Sequence, residues 1–137
     1  MSGSRSIEGP ITILMVEDEE VLRVPVAKIL RRQGFIVMES VDGRAAVEQF
    51  LEHFREIDVV FLDMTLPGKS GPDVMALMSL ISADIKVVLT SAYGEEAVTE
   101  MLRGQRPAAY IQKPYASRQL ADLLRATCLA KPRVQSV

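Results

Sequence analysis

Several chemically capable groups stand where short apolar runs end. Glu17 and Asp18 follow Ile11–Val16, Asp63 follows the largely apolar Ile57–Leu62, Thr90 and Ser91 follow Ile85–Leu89, and Lys113 comes just after Ala108–Ile111. Singly, each has an ordinary explanation. A strand-end acid or hydroxyl often caps a helix, and a lone lysine is usually a surface charge. Together, three carboxylates, a hydroxyl and an ammonium make a set suited to moving a phosphoryl group with the help of a divalent cation. Carboxylates held close together repel and resist desolvation; a shared hard cation relieves both. Magnesium takes oxygen ligands in near-octahedral geometry at about 2.0–2.1 Å, and manganese would meet the same donors. Asp18 and Asp63 are the expected direct ligands. Glu17 is expected to act through a water or to orient one, and a backbone carbonyl near Thr65 to add a further oxygen.

On this reading Asp63 is the nucleophile, since a carboxylate can take a phosphoryl group as an acyl phosphate. Catalysis is then mostly alignment and neutralisation of the equatorial oxygens. Lys113 supplies a compact point charge for that purpose, and Thr90 a hydroxyl that donates to a new phosphoryl oxygen. The group adds about 1.5–2 negative charges and three acceptor oxygens, enough to draw Thr90 inward. Tyr110, three residues before Lys113, then either rotates into the vacated space or stays an edge residue with its hydroxyl in solvent.

Elements must bring these groups to one place. Ile11–Val16, Phe35–Glu39, Ile57–Leu62, Ile85–Leu89 and Ala108–Ile111 read as short strands covered on both faces. Between them lie helical patterns. Val21, Val24, Ala27, Ile29 and Leu30 mark the first, ended by Gly34 and made awkward by Pro25. Ala45, Ala46, Val47, Phe50, Leu51 and Phe54 give the second a buried stripe, with Asp42 as its cap. Val74, Leu77, Met78 and Ile81 line a third, Glu95–Arg103 forms a less apolar fourth, and Leu120, Leu123, Leu124 and Thr127 face inward on the last. Five alternations of strand and helix predict a doubly wound α/β sandwich around a parallel sheet. In such a sheet, ligands sit outside the carboxyl ends of the strands, which is where the reactive groups gather. The second strand ends in Glu39 and Ser40, to which no role is assigned.

The 137 residues suit one domain, and 48% hydrophobic content is enough for a core at that length. No apolar run approaches the roughly 18 residues that span a bilayer. Met1–Gly9 lacks the hydrophobic region of a secretion signal, so a cytoplasmic location is the expectation. A single cysteine, Cys128, excludes an internal disulfide and a multi-thiolate metal site within one chain. Sixteen basic against eighteen acidic residues leave no broad nucleic-acid footprint. The expected layout is a flexible segment at 1–10, a folded domain at 11–130 and a tail or linker start at 131–137.

The pieces ILMVEDEE, VVFLDMTLPGKSGPDVM, VVLTSAY and AAYIQKPY, in that order and with a strand–helix unit between successive pieces, resemble the receiver domain of two-component response regulators and hybrid histidine kinases. The likeness runs from about Ile11 to Leu129. It implies a flavodoxin-like five-stranded sandwich of strand order 2-1-3-4-5, an acidic pair at Glu17 and Asp18, phosphorylation at Asp63, a switch hydroxyl at Thr90, a switch aromatic at Tyr110, an essential lysine at Lys113 and a cis Lys113–Pro114 bond. It further implies a histidine kinase or histidine phosphotransfer domain as phosphodonor, and a downstream protein or fused domain as listener to a surface built by the fourth helix, fifth strand and fifth helix. That surface could also support a weak homodimer in place of a monomer. Thr65 and Ala92 stand two residues beyond Asp63 and Thr90, where this family tunes acyl-phosphate lifetime; neither is charged, so strong self-dephosphorylation is not expected. RGQRPAAY stands where many relatives carry a glycine-alanine-aspartate turn, which marks the loop before the fifth strand as unusual.

Three other readings compete. A magnesium-dependent phosphatase of the haloacid dehalogenase type wants a second aspartate two residues after its nucleophile, where this chain has Thr65. A flavin or nucleotide module wants a phosphate-binding loop after the first strand, where Glu17-Asp18-Glu19-Glu20 would repel phosphate. A pseudo-receiver would lack some of the reactive groups, all of which are present.

Overall fold

Strands whose two faces are both apolar need cover on both sides, and the chain supplies it with helices. The computed structural model describes residues 9–129. Its elements are β1 (Thr12–Val16), α1 (Glu20–Arg32), β2 (Ile36–Ser40), α2 (Gly43–His53), β3 (Val59–Asp63), α3 (Gly71–Ile81), β4 (Lys86–Ser91), α4 (Glu95–Leu102), β5 (Ala109–Gln112) and α5 (Ser117–Leu129). The strands form one parallel sheet of order β2-β1-β3-β4-β5. This is the flavodoxin-like three-layer sandwich expected from the sequence. Most of the expected segment 1–10 and the whole of 131–137 lie outside the described residues.

Side chains alternate across each strand, so the sheet divides the core in two. Ile13, Met15, Val59, Phe61, Val88 and Ile111 face α1 and α5, where Val26, Ala27, Leu30, Leu120, Ala121 and Leu124 meet them. Leu14, Val16, Val60, Leu62 and Leu89 face the other way, onto Ala46, Phe50, Val74, Met78, Val98 and Leu102 of α2, α3 and α4. The same alternation carries forward to the site. Glu17, Asp63, Thr90 and Lys113 each follow by two residues a member of the α1/α5 side, namely Met15, Phe61, Val88 and Ile111.

The inward face of α1 differs from the expected one. Val21 and Val24 are 87% and 44% exposed, and the buried row is Val26, Ala27 and Leu30. An arginine causes the difference. Arg23 lies four and seven residues before Ala27 and Leu30, on their face of the helix, and its guanidinium finds carboxylate and carbonyl partners there. Pro25 lies inside the helix on its exposed side, where its ring nitrogen cannot donate to the Val21 carbonyl. Leu51 is likewise outside the stripe of α2, at 60% exposure. Asp42 caps α2 as expected, accepting from the Ala45 N–H at 2.8 Å. Strand limits shift by one or two residues: Phe35 precedes β2, β3 starts at Val59, β4 runs to Ser91 and β5 to Gln112. α4 stops at Leu102 because Arg103 takes a left-handed conformation, φ 51°.

Candidate functional site

Backbone pairing continues just past the strands and fixes where the reactive side chains start. The Glu17 N–H donates to the Ser40 carbonyl at 3.1 Å, the Met64 N–H to the Thr90 carbonyl at 2.9 Å, and the Lys113 N–H to the Ser91 carbonyl at 2.8 Å. Asp63 and Thr90 are register partners on β3 and β4. The peptide bond between Lys113 and Pro114 is cis. Behind Asp63, the first turn of α3 sits directly on the strand end. Gly71 donates its N–H to the Met64 carbonyl at 2.9 Å, and a Cβ at that position would lie 2.5 Å from Met64 Cα and 2.7 Å from the Asp63 carbonyl oxygen.

Three carboxylates and one ammonium converge above this frame. Glu17 and Asp63 are almost fully buried, at 1% and 2% exposure, while Asp18 is exposed. Lys113 Nζ lies 2.9 Å from Asp63 Oδ2 and 3.1 Å from Glu17 Oε1. The other Asp63 oxygen, Oδ1, accepts from the Thr65 N–H at 3.0 Å and from the Thr65 hydroxyl at 3.1 Å. Glu17 Oε2 accepts from the Glu19 N–H at 3.1 Å. Burial, followed by the charge of Asp63, raises the Glu17 pKa, and the Glu19 and Lys113 bonds offset only part of that. Burial would also pull the Lys113 ammonium down, but hydrogen bonds to Asp63 and Glu17, and their charges, reverse the effect and raise its pKa.

This donor set fits a divalent cation. Glu17, Asp18 and Asp63 each offer an oxygen, and these atoms lie within 4.8 Å of one another. Three carboxylates against the Lys113 ammonium leave two negative charges in a largely buried cluster, and every available ligand is a hard oxygen.

Thr90 brings a different kind of opening. Its hydroxyl is buried and has no hydrogen-bond partner, so a donor stands unused one strand away from Asp63. Its neighbour Ser91 faces the opposite side of the sheet and is fully buried. Ser91 Oγ lies 2.8 Å from Tyr110 Oη and accepts from the Tyr93 N–H at 3.1 Å. The Tyr110 hydroxyl also donates toward the Ser91 carbonyl at 3.2 Å and makes a short contact with the Tyr93 carbonyl. The Tyr110 hydroxyl is thus tied to the loop after β4.

Several contributors escaped the sequence reading. Arg23 Nε lies 3.0 Å from Glu39 Oε1, and its Nη1 donates to the Glu17 carbonyl at 3.1 Å. Arg31 holds the other Glu39 oxygen at 3.0 Å. Glu39, to which the sequence assigned nothing, thus anchors an arginine that steadies the acidic loop. Helical spacing from Ala27 and Leu30 was the available signal for Arg23. Gly71 and Tyr115 complete the group. Their significance lies in contacts across the fold, which periodicity does not reveal.

Residues 13–125 match the family model described as the response regulator receiver domain. The chain belongs to that family. A phosphorelay receiver domain takes its phosphoryl group at an acidic cluster, and Glu17, Asp18 and Asp63 form one here. Among curated proteins, this receiver domain is 30% identical over 119 residues to the sensor kinase CckA of Brucella abortus, a match covering 87% of this chain and 13% of the kinase. It is 37% identical over 117 residues to the sensory transduction protein RegX3 of Mycobacterium tuberculosis, covering 84% of this chain and 49% of that protein. The chain thus spans half or less of these relatives. The crystal structure of the receiver domain from the hybrid histidine kinase CckA superposes with a TM-score of 0.72 at 27% identity, covering 85% of this chain and 98% of that one. Among the described residues no helix is long and apolar enough to cross a membrane.

Proposed function

We propose that this receiver domain accepts a phosphoryl group from a phosphohistidine onto Asp63, and that acceptance alters the surface formed by α4, β5 and α5. The observation that carries the reading is the buried Thr90 hydroxyl without a partner, set beside an Asp63 carboxylate that already faces Lys113. A buried donor with no acceptor costs stability, and an incoming phosphoryl oxygen would supply one.

In the transfer, an Asp63 carboxylate oxygen forms a bond to phosphorus as the phosphorus–nitrogen bond to the donor imidazole breaks. The bonding pair leaves with the imidazole, which takes its proton from water. Thr65, through its N–H and hydroxyl, fixes the rotation of the Asp63 carboxylate, so one oxygen is pre-aimed. Lys113 shifts from its shared position between Asp63 and Glu17 toward the phosphoryl oxygens. Asp18 and Asp63 would hold magnesium, or manganese, directly, with Glu17 acting through a water and the Thr65 carbonyl as a further oxygen. That ion supplies neutralisation of the equatorial oxygens. Thr65 and Ala92 offer no charged group toward an attacking water, which favours a long-lived acyl phosphate.

The donor on this reading is a histidine kinase or histidine phosphotransfer domain, in keeping with the sensor kinase likeness. The listener is a downstream protein or fused domain, in a cytoplasmic setting. The folded unit is residues 11–130, acting as a monomer or weak homodimer. Incubation with acetyl phosphate and magnesium tests the core of the proposal. The wild type gains a phosphoryl group that hydroxylamine and base remove, as expected of an acyl phosphate, and Asp63→Asn gains none while keeping its melting temperature. Equal labelling of the two proteins would place the acceptor elsewhere.

A further inference from the structure

Among the described residues, two buried side-chain oxygens lack a hydrogen-bond partner: Thr90 Oγ1 and Tyr115 Oη. The first is absorbed by the phosphoryl reading; the second is not. Tyr115 stands two residues beyond Lys113. Its ring meets Phe61 edge-on, with centroids 5.8 Å apart and planes at 76°. Phe61 and Met15 belong to the cluster that Tyr115 packs against, and each lies two residues before a site carboxylate on the same face of its strand, Asp63 and Glu17 respectively. Through Phe61, Tyr115 therefore packs in the layer immediately beneath Asp63. A phenylalanine would fill the same space without a stranded polar atom. Burial first, and then the charge of Glu17, push the phenol up to about 12; near neutral pH it keeps its proton and is a donor.

Glu17 is the group that will need one. Its carboxylate is 1% exposed and has two donors, Lys113 Nζ on Oε1 at 3.1 Å and the Glu19 N–H on Oε2 at 3.1 Å. On the reading given above, on which this inference rests, Lys113 follows the phosphoryl group. Glu17 Oε1 is then a buried anionic oxygen that has lost its donor, a costly state. We propose that the Tyr115 hydroxyl takes the place of Lys113 at Glu17 when Asp63 is phosphorylated. Tyr115 is thus a positioning residue: it frees Lys113 to move while keeping Glu17 oriented.

Tyr115→Phe in the full chain tests this, because it keeps the ring and removes only the hydroxyl. Three calorimetric measurements are compared with wild type: melting without metal, magnesium binding alone, and binding of beryllofluoride, a phosphoryl mimic, in saturating magnesium. The expected outcome is an unchanged or raised melting temperature, magnesium affinity within about twofold, and beryllofluoride affinity about tenfold weaker, equivalent to about 1.4 kcal/mol. Beryllofluoride affinity within about twofold of wild type would overturn the inference. So would a lowered melting temperature, which would mean that the hydroxyl is already bonded in the empty site. Equal weakening of magnesium and beryllofluoride binding would overturn the exchange with Lys113. A wild type that binds no beryllofluoride would instead sink the phosphoryl reading itself, and this inference with it.

Discussion

Replacing Gly71 with alanine should injure both stability and phosphoryl uptake, and the size of the effect follows from the contact behind Asp63. The φ of Gly71 is not in the left-handed region, so alanine meets no backbone strain of its own. The obstacle is space. The added Cβ would lie 2.5 Å from Met64 Cα and 2.7 Å from the Asp63 carbonyl oxygen, both backbone atoms. Relief to 3.4 Å, where ordinary contact begins, requires 3.4 − 2.5 = 0.9 Å of separation between α3 and the end of β3. No flexible side chain can yield in their place. Overpacking of this kind costs about 1–3 kcal/mol. The displaced atoms belong to the nucleophile's own residue and its neighbour, and a misplacement of about 1 Å can lower a rate about 100-fold. Urea unfolding and the initial rate of acetyl-phosphate labelling measure the two consequences separately. If Gly71→Ala unfolds within about 0.5 kcal/mol of wild type and labels at the same rate, the glycine is not what sets Asp63 in position.

The remaining predictions concern the switch and its charges. Thr90→Val, which replaces the stranded hydroxyl with a methyl, should raise metal-free stability by about 1 kcal/mol in urea unfolding, yet remove the beryllofluoride-induced shifts of the α4 amides; a destabilised variant would show that the hydroxyl has a partner after all. Ser91→Ala should leave labelling of Asp63 intact and weaken the response of the Tyr93 and Val98 amides, since the 2.8 Å link to Tyr110 is gone; a full response in those amides would exclude that route. Glu17 has a folded pKa raised above 4.5 by burial and by Asp63, so the folded chain binds a proton that the unfolded chain releases. That group's stabilisation is present in acid and lost as pH rises from about 4.5 through the raised value. Wild-type urea midpoints should therefore fall relative to those of Glu17→Gln across that window, and parallel curves would show that Glu17 titrates alike in both states.

The ends of the strands were the most legible part of the sequence. Apolar runs stop at Glu17, Asp63 and Thr90 because a covered parallel sheet tolerates polar groups only at its rim. The helices were less legible where inward positions are not apolar. Arg23 occupies a core-facing place on α1 because Glu39 and the Glu17 carbonyl satisfy it, so counting valines rotated the predicted face toward Val21 and Val24. Leu51 failed for a simpler reason: Ala46 and Phe50 already fill the face of α2, and a leucine beside them has nothing left to cover. Strand order came from family resemblance, since hydrophobicity alone does not distinguish one neighbour from another in a sheet buried on both faces. Gly71 and Tyr115 could not be weighed without coordinates. A glycine at a helix start reads as a capping choice, and an aromatic after Lys113 and Pro114 reads as packing, until the distance to Asp63 in one case and the empty hydroxyl in the other are seen.

Alternation across the sheet also constrains how a phosphoryl group could be felt at a distance. Thr90 faces α1 and α5 with the reactive carboxylates, whereas Ser91 and Tyr110 lie on the side of α4. Thr90 and Tyr110 thus stand on opposite faces at the carboxyl rim of the sheet. A connection between them runs along the chain. Thr90 and Ser91 share a peptide unit, and Ser91 Oγ and its carbonyl together hold the Tyr110 hydroxyl. On the proposed reading, a pull on Thr90 would turn the segment carrying Ser91, change the geometry offered to Tyr110, and reach Tyr93 through its N–H. On the same reading, the pair of hydroxyl residues at the end of β4 would act as a lever through the sheet: one faces the chemistry, and the next faces α4.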